Sequence, residues 1–398
     1  MNINILTIGT RGDVQPYIAL GLGLKARGHD VTLATLEEFK SQVVGYGLEH
    51  DVLRGDFIGA AQDAKTNNPL KLIKIYTEMA RETLADEWSS ARSAQAFIYN
   101  PAAFGGHHIA EKLDVPSFAA FPAPMYTPTS AFPSPFFPFA NLGFLNKASH
   151  RLFAKMSTSI YRKPIDEWRR DVLKLPPSKN QKPVKTLYAY SKAVLPVPED
   201  WDESSVVTGY WFLDAPVDWQ PPQDLVAFIQ NGPPPAYVGF GSMFMNGGKQ
   251  KTEMVLEALR LSGQRGILST GWGGLTRENV PDDVFVVDSV PHDWLFRHVS
   301  CVVHHGGAGT TGSGLRAGKP TVICPFVGDQ PFWGRRVAAL GVGPAPIQQR
   351  KLTAENLAGA IEVAVTDVEM RQRSEALGKA IRAEDGVGTA VGYVTRHL

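Results

Sequence analysis

The sequence predicts an α/β protein made of two doubly wound parallel-sheet domains that face one another across a cleft. Three observations predict it. Strand and helix patterns alternate as far as Phe121, a proline-rich stretch interrupts them, and the alternation restarts near Ala236. A chain of 398 residues is long enough for two or three such units.

The elements follow in order. Ile3 to Ile8 is an apolar run that ends in a glycine turn, Val14 to Arg27 has a helical pattern stopped by Gly28, and Val31 to Thr35 is β-branched, which together make one βαβ unit. The first residues lack a basic n-region, so they read as a strand rather than a signal peptide. Strand patterns recur at Ala96 to Tyr99 and Ser117 to Phe121, each after a helical segment. The second series is Tyr237 to Phe240, Ile267 to Ser269, Val284 to Val287, Cys301 to Val303 and Thr321 to Cys324, with a last helix at Arg371 to Arg382. Pro221-Pro222 and Pro233-Pro234-Pro235 mark a semi-rigid linker between the two series. The expected division is 1–215, a linker 216–235, a second domain 236–380, and a tail 381–398 that either packs back on the first domain or stays with the second, the sequence not saying which.

Composition narrows the function. Forty basic residues face 39 acidic ones, and the net charge of +1 gives no global field for nucleic acid or an anionic membrane. Any partner is recognised locally. Cys301 and Cys324 make no disulfide framework and have no zinc-spaced neighbours, which suits a reducing, cytoplasmic compartment. Val115 to Asn146 carries no charge, yet Pro116, Pro122, Pro124, Pro128, Pro133, Pro135 and Pro138 would break a membrane-spanning helix. What remains is an aromatic loop with two readings: a segment tucked onto its own domain, or the wall of an apolar pocket or a lip that touches membrane.

His304-His305-Gly306-Gly307-Ala308-Gly309-Thr310-Thr311 follows a strand pattern and precedes a helical one. Glycines let backbone approach a phosphate, and the first amides of a helix are unpaired donors, so this is an anion site in form. His305 would offset charge on a departing diphosphate. No Lys follows the last glycine, which excludes a Walker loop. After the next strand, Asp329 and Gln330 can accept from and donate to sugar hydroxyls, or Asp329 can cap a helix. In Gly9-Thr10-Arg11-Gly12-Asp13 the spacing is wrong for a nicotinamide cofactor, and Asp13 reads equally as a base at the cleft mouth or as a helix cap. Asp200-Trp201-Asp202 reads as a surface turn rather than a metal site, and His107-His108 as structural.

Taken in order, Thr7 to Tyr17, Val207 to Asp214, Val238 to Met243, Val290 to Phe296, His304 to Thr311 and Gly328-Asp329-Gln330 resemble a GT-B-fold family 1 glycosyltransferase. The likeness is nearest to the sterol 3-β-glucosyltransferase group and the bacterial antibiotic and natural-product glycosyltransferases. The resemblance implies an acceptor-binding first domain, a second domain that binds a nucleotide sugar, usually UDP-glucose, and inversion at the anomeric carbon with no metal and no further cofactor. It implies that Asp13 deprotonates the acceptor hydroxyl, Ser242 contacts the diphosphate or sugar, and Val290 to Trp294 line the nucleobase and ribose pocket. His305 with the backbone of Gly307, Ala308, Gly309, Thr310 and Thr311 would hold the diphosphate, while Asp329 and Gln330 read sugar hydroxyls. Phe121, Met125, Tyr126, Phe132 and Phe136 would face a lipophilic alcohol. Plant members use a His in the first turn and a Trp stacked on uracil; Asp13 and Ser289 stand in those places here, which leaves uracil and thymine as alternatives. The rival readings are a UDP-sugar epimerase and an inactive activator on the same scaffold.

Overall fold

The computed structural model describes residues 1–55, 69–159, 161–177, 185–241, 248–270 and 280–398. Twelve strands among them form two all-parallel sheets. The first holds β1 (Asn2–Leu6), β2 (Asp30–Thr35), β3 (Glu49–Val52), β4 (Ala96–Tyr99), β5 (Ser117–Phe121), β6 (Lys185–Tyr188) and β7 (Ser205–Val207) in the order β3-β2-β1-β4-β5-β6-β7. The second holds β8 (Ala236–Gly239), β9 (Gly266–Ser269), β10 (Val284–Val287), β11 (Val302–His304) and β12 (Thr321–Ile323) in the order β10-β9-β8-β11-β12. Central strands such as β4 and β8 are buried at every position, as parallel strands covered by helices on both faces must be.

This topology fixes where a ligand binds. In each sheet the chain winds outward in one direction and then restarts on the other side of the first strand, between β1 and β4 and between β8 and β11. The crevice beyond the strand ends at such a reversal is the natural site of a doubly wound sheet. The Gly9–Asp13 turn leaves β1 and the His305–Gly307 loop leaves β11, so both motifs stand at these crevices.

Several elements differ from the sequence expectation. The helix expected from Val14 begins at Arg11 and runs to Lys25, so Pro16 falls in its second turn and leaves the Gly12 carbonyl without a helical donor. The stretch expected to be a plain linker contains the helix Gln223–Gln230, whose Leu225 is fully buried. The tail forms a helix, Gly386–Arg396, that lies against the first one; a Cβ on Gly23 would come within 2.5 Å of Val387. Tyr393 of this last helix donates to the Glu203 carbonyl at 2.8 Å and packs edge-on to Phe118.

The aromatic loop is tucked in. Phe121 stacks on Tyr126 at 4.7 Å between centroids, and Tyr126 and Phe136 both meet Phe153 of the helix Asn146–Ser159. The buried ring of His150 reaches the Met125 and Phe132 carbonyls at 3.0 and 3.1 Å. Asp200 closes the other side, accepting from Thr129 Oγ1 (2.6 Å), Ser130 N (2.9 Å) and Ser130 Oγ (3.0 Å) and pairing with Lys147 at 3.0 Å. Burial pushes the Asp200 carboxyl up, but these bonds outweigh it and hold the group well below the usual carboxylate range. The D-x-D sequence is therefore a clamp on this loop. His108 is likewise structural: its Nδ1 lies 2.8 Å from Arg169, which forks onto Glu111.

Candidate active site

A cavity of about 1400 Å³ opens between the two sheets, lined from both sides. Asp13 enters it from the first sheet. Its Oδ2 accepts from the Thr10 amide at 2.9 Å and the Thr10 hydroxyl at 3.2 Å, while the Asp13 amide donates back to the Thr10 carbonyl at 2.8 Å. This is a reciprocal cap at the start of the helix, and it fixes the carboxylate's direction. Gly9 makes room for it: φ is +145°, and a Cβ there would sit 2.3 Å from Asp13 Oδ2. Burial raises the Asp13 carboxyl above its ordinary value, against the lowering pull of the Thr10 bonds.

From the second sheet comes the His305–Thr311 turn. Gly306 adopts φ +93°, and a Cβ there would strike Ile323 at 2.7 Å. This reversal brings Gly307 to the cap position of the helix Ala308–Arg316. The amides of Ala308, Gly309 and Thr310 fall before the first helical bond, which runs from Thr311 N to Gly307 O at 2.9 Å. They line the cavity as unpaired donors at the positive end of a helix dipole. His305 also lines it. Its buried Nδ1 has no hydrogen-bond partner among the described residues, and burial lowers the ring to about 4, so it is neutral at pH 7. His304 behind it accepts the Gly306 amide on Nδ1 at 2.9 Å, which fixes the loop from within.

Asp329 and Gln330 complete the floor. The Asp329 carboxyl is pushed up to about 6 by burial, with the Trp333 indole bond (2.8 Å) opposing and the negative charge of Asp13 adding. Two carboxylates from separate sheets thus sense each other in one cavity. Gln330 Oε1 accepts from the amides of Phe326 (2.8 Å) and Val327 (3.3 Å), which leaves its amino group as the free half of the carboxamide.

Not every expected residue lies here. Val290 lines the cavity, but Trp294 turns away to pack on His298 and on Trp219, and it is Trp219 that lines the wall. The Thr311 side chain is buried and its hydroxyl donates to the Gly307 carbonyl at 2.9 Å, so this residue contributes backbone geometry rather than a side-chain donor. None of Phe121, Met125, Tyr126, Phe132 and Phe136, expected to face the acceptor, lines this cavity: Phe121 stacks on Tyr126, and Tyr126 and Phe136 pack on Phe153. Phe132 instead meets Phe332, at 5.5 Å, on the helix Gln330–Ala339. Ser242 lies outside the described residues.

Comparison with known proteins places the chain in a family. Residues 3–133 match the glycosyltransferase family 28 N-terminal domain, and residues 273–387 match the erythromycin biosynthesis protein CIII-like C-terminal domain. Two sterol 3-beta-glucosyltransferases of Arabidopsis thaliana are each 39% identical over the whole of this chain, which spans 66% and 68% of their lengths. The chain belongs to the sterol 3-beta-glucosyltransferase group of glycosyltransferases. A member of the group from Cryptococcus neoformans is 37% identical, and this glycosyltransferase spans 27% of it.

The fold of this glycosyltransferase is GT-B. The solved glycotransferase of kitacinnamycin matches it over its whole length with TM-score 0.76 at 20% identity, covering 98% of that chain. The glycosyltransferase VinC, solved in complex with dTDP, matches with TM-score 0.70 at 18% identity, covering 99% of that chain.

Four residues of this glycosyltransferase, in three groups, escape sequence reasoning. Arg11 donates to Ser289 at 2.9 Å across the cleft, a pair 278 positions apart with no local signal. Ser313 and Arg316 also line the cavity; with Gly309 they repeat at four and three residues along one helix face, a spacing the sequence does contain. Asn100 at the end of β4 is the third kind of omission. Its amide donates to Thr7 Oγ1 (2.9 Å) and the Ile8 carbonyl (2.8 Å), and Thr7 Oγ1 donates to the Asp13 carbonyl at 2.5 Å, so Asn100 braces the turn that carries Asp13.

Proposed function

We propose that this chain transfers glucose from UDP-glucose to a hydroxyl of a sterol or another polycyclic alcohol, with inversion at the anomeric carbon and without a metal. The observation that carries the reading is the opposition of Asp13 to the His305–Thr310 cradle within a cavity larger than one drug-sized ligand fills. Asp13 takes the proton of the acceptor hydroxyl as its oxygen bonds to C1, the C1–O bond to the diphosphate breaks, and UDP leaves with the electron pair. Attack from the side opposite the leaving group inverts C1. The helix amides and His305 supply the counter-charge that the leaving diphosphate needs. Asp329 and the free half of Gln330 hold sugar hydroxyls. The acceptor is lipophilic and is met at a membrane surface, and the two unpaired, buried cysteines suit a reducing compartment.

The test incubates the protein with UDP-glucose, dTDP-glucose and a sterol, with and without EDTA, and follows nucleotide release and product by mass spectrometry and by the anomeric proton coupling. A β-linked steryl glucoside formed from UDP-glucose in EDTA supports the reading. Donor converted to a different nucleotide sugar with no acceptor present would instead identify an epimerase, and no turnover with any donor would identify an inactive activator.

A further inference from the structure

A surface beside the tucked loop, away from the cavity, gathers large exposed apolar side chains. The 3-10 turn Gly143–Leu145 leads into the helix Asn146–Ser159, and Phe144 at its tip is 93% exposed. Leu145, Leu152 and Met156, spaced seven and four apart, are exposed along one face of the same segment, with Phe136 and Phe139 exposed in the loop before it. The adjacent face, with Asn146, Ser149, His150 and Phe153, is buried against the loop. Large apolar side chains gathered on one exposed patch mark a surface that meets something.

Charge selects the partner. The helix carries no acidic residue, and Arg151 and Lys155 lie one turn apart on the edge next to the apolar face. Lys147 is held by Asp200, whereas neither Arg151 nor Lys155 has an acidic partner among the described residues. A stripe of large apolar groups bordered by unpaired cations is the pattern of a helix lying in a lipid interface, the apolar tips entering the acyl boundary and the cations meeting anionic headgroups. The patch is also joined to the cavity. Arg335 donates to the Pro138 and Phe139 carbonyls at 3.2 and 3.0 Å, and Phe132 packs on Phe332, both from the helix whose first residue, Gln330, lines the cavity.

We infer that the exposed face of Gly143–Ser159, with Phe144 as its inserted tip and Arg151 and Lys155 as its headgroup contacts, docks this protein on an anionic lipid bilayer. Docking needs no substrate and is independent of the proposed transfer. The test is co-sedimentation of the full chain with vesicles of phosphatidylcholine alone or mixed with phosphatidylserine, none containing a sterol. The expected result is binding to the mixed vesicles that weakens as salt rises. Phe144→Asp should weaken it at least about tenfold, and Arg151→Glu and Lys155→Glu about fivefold each, at about 1 kcal/mol per cation near the surface. UDP binding should stay unchanged in all three variants, which reports that they fold. Absence of wild-type binding, or variants that bind as the wild type does, would overturn the proposal. Concentration-dependent self-association of the wild type, abolished by Phe144→Asp, would assign the patch to a second copy instead and equally overturn it.

Discussion

In the proposed transfer, Asp13 serves the fold and the chemistry with one side chain. Its carboxylate closes the helix cap with Thr10, and the same bonds hold it rigid at the cavity wall. A base works only when deprotonated, and burial raises this carboxyl, as it raises Asp329 to about 6. The acid limb of kcat/KM should therefore lie above the ordinary carboxylate range, with the rate falling about tenfold per pH unit below it. A pH profile that stays flat down to pH 4 would contradict the assignment of a raised base. Asn100 touches no reacting atom but braces the Asp13 turn, so Asn100→Ala should lower kcat by about ten- to a hundredfold while leaving the dissociation constant for UDP unchanged. A change in UDP affinity and none in kcat would reassign Asn100 to the donor side. These roles differ in how far the sequence shows them. Asp13, His305 and Asp329 sit in glycine-marked turns after apolar runs, whereas Arg11 and Ser289 meet only because the two sheets do.

Among the elements, strands with an apolar run announce themselves, and a polar edge strand does not. β4 and β5 match their sequence patterns residue for residue, and so does the edge strand β10, whose Val-Phe-Val-Val run is apolar throughout. β3, Glu-His-Asp-Val at the sheet edge, is half solvated and has no apolar run to read. The last helix is hidden for a different reason: Gly386, Gly388 and Gly392 lower its intrinsic propensity, and close contact with Gly209 and Tyr210 holds it in place. The aromatic loop was legible as apolar, with a tucked segment as one of two readings; the sequence does not choose between them because the buried His150 and the exposed Asp200 that clamp the loop lie outside its own run. Asp200→Ala should cost about 1 to 3 kcal/mol of stability, since it leaves the Thr129 and Ser130 donors without their acceptor. Limited proteolysis between 127 and 140 together with a denaturant midpoint checks this; an unchanged midpoint and cutting pattern would remove Asp200 from its clamping role.

At the scale of the whole molecule, polar ties besides Arg11 to Ser289 and Arg335 to the Pro138 and Phe139 carbonyls join the two halves. Arg316 pairs with Asp214 at 2.6 Å, Ser191 donates to Glu384 at 2.9 Å, and the Ala215 amide donates to Asp293 at 3.3 Å. A ligand that touches both sheets adds to these ties. UDP at a hundred times its dissociation constant should stabilise the fold by roughly 2.7 kcal/mol. At that same UDP concentration, His305→Ala should keep less of the shift, because it weakens the diphosphate's hold. An equal shift in the wild type and His305→Ala would take His305 out of the donor site. The measurement that bears most directly on the central claim compares wild type with Asp13→Asn in UDP-glucose turnover with a sterol, alongside calorimetric binding of UDP to both. The account predicts a kcat lower by at least about a hundredfold with UDP affinity retained. Turnover kept at the wild-type level in Asp13→Asn would contradict it.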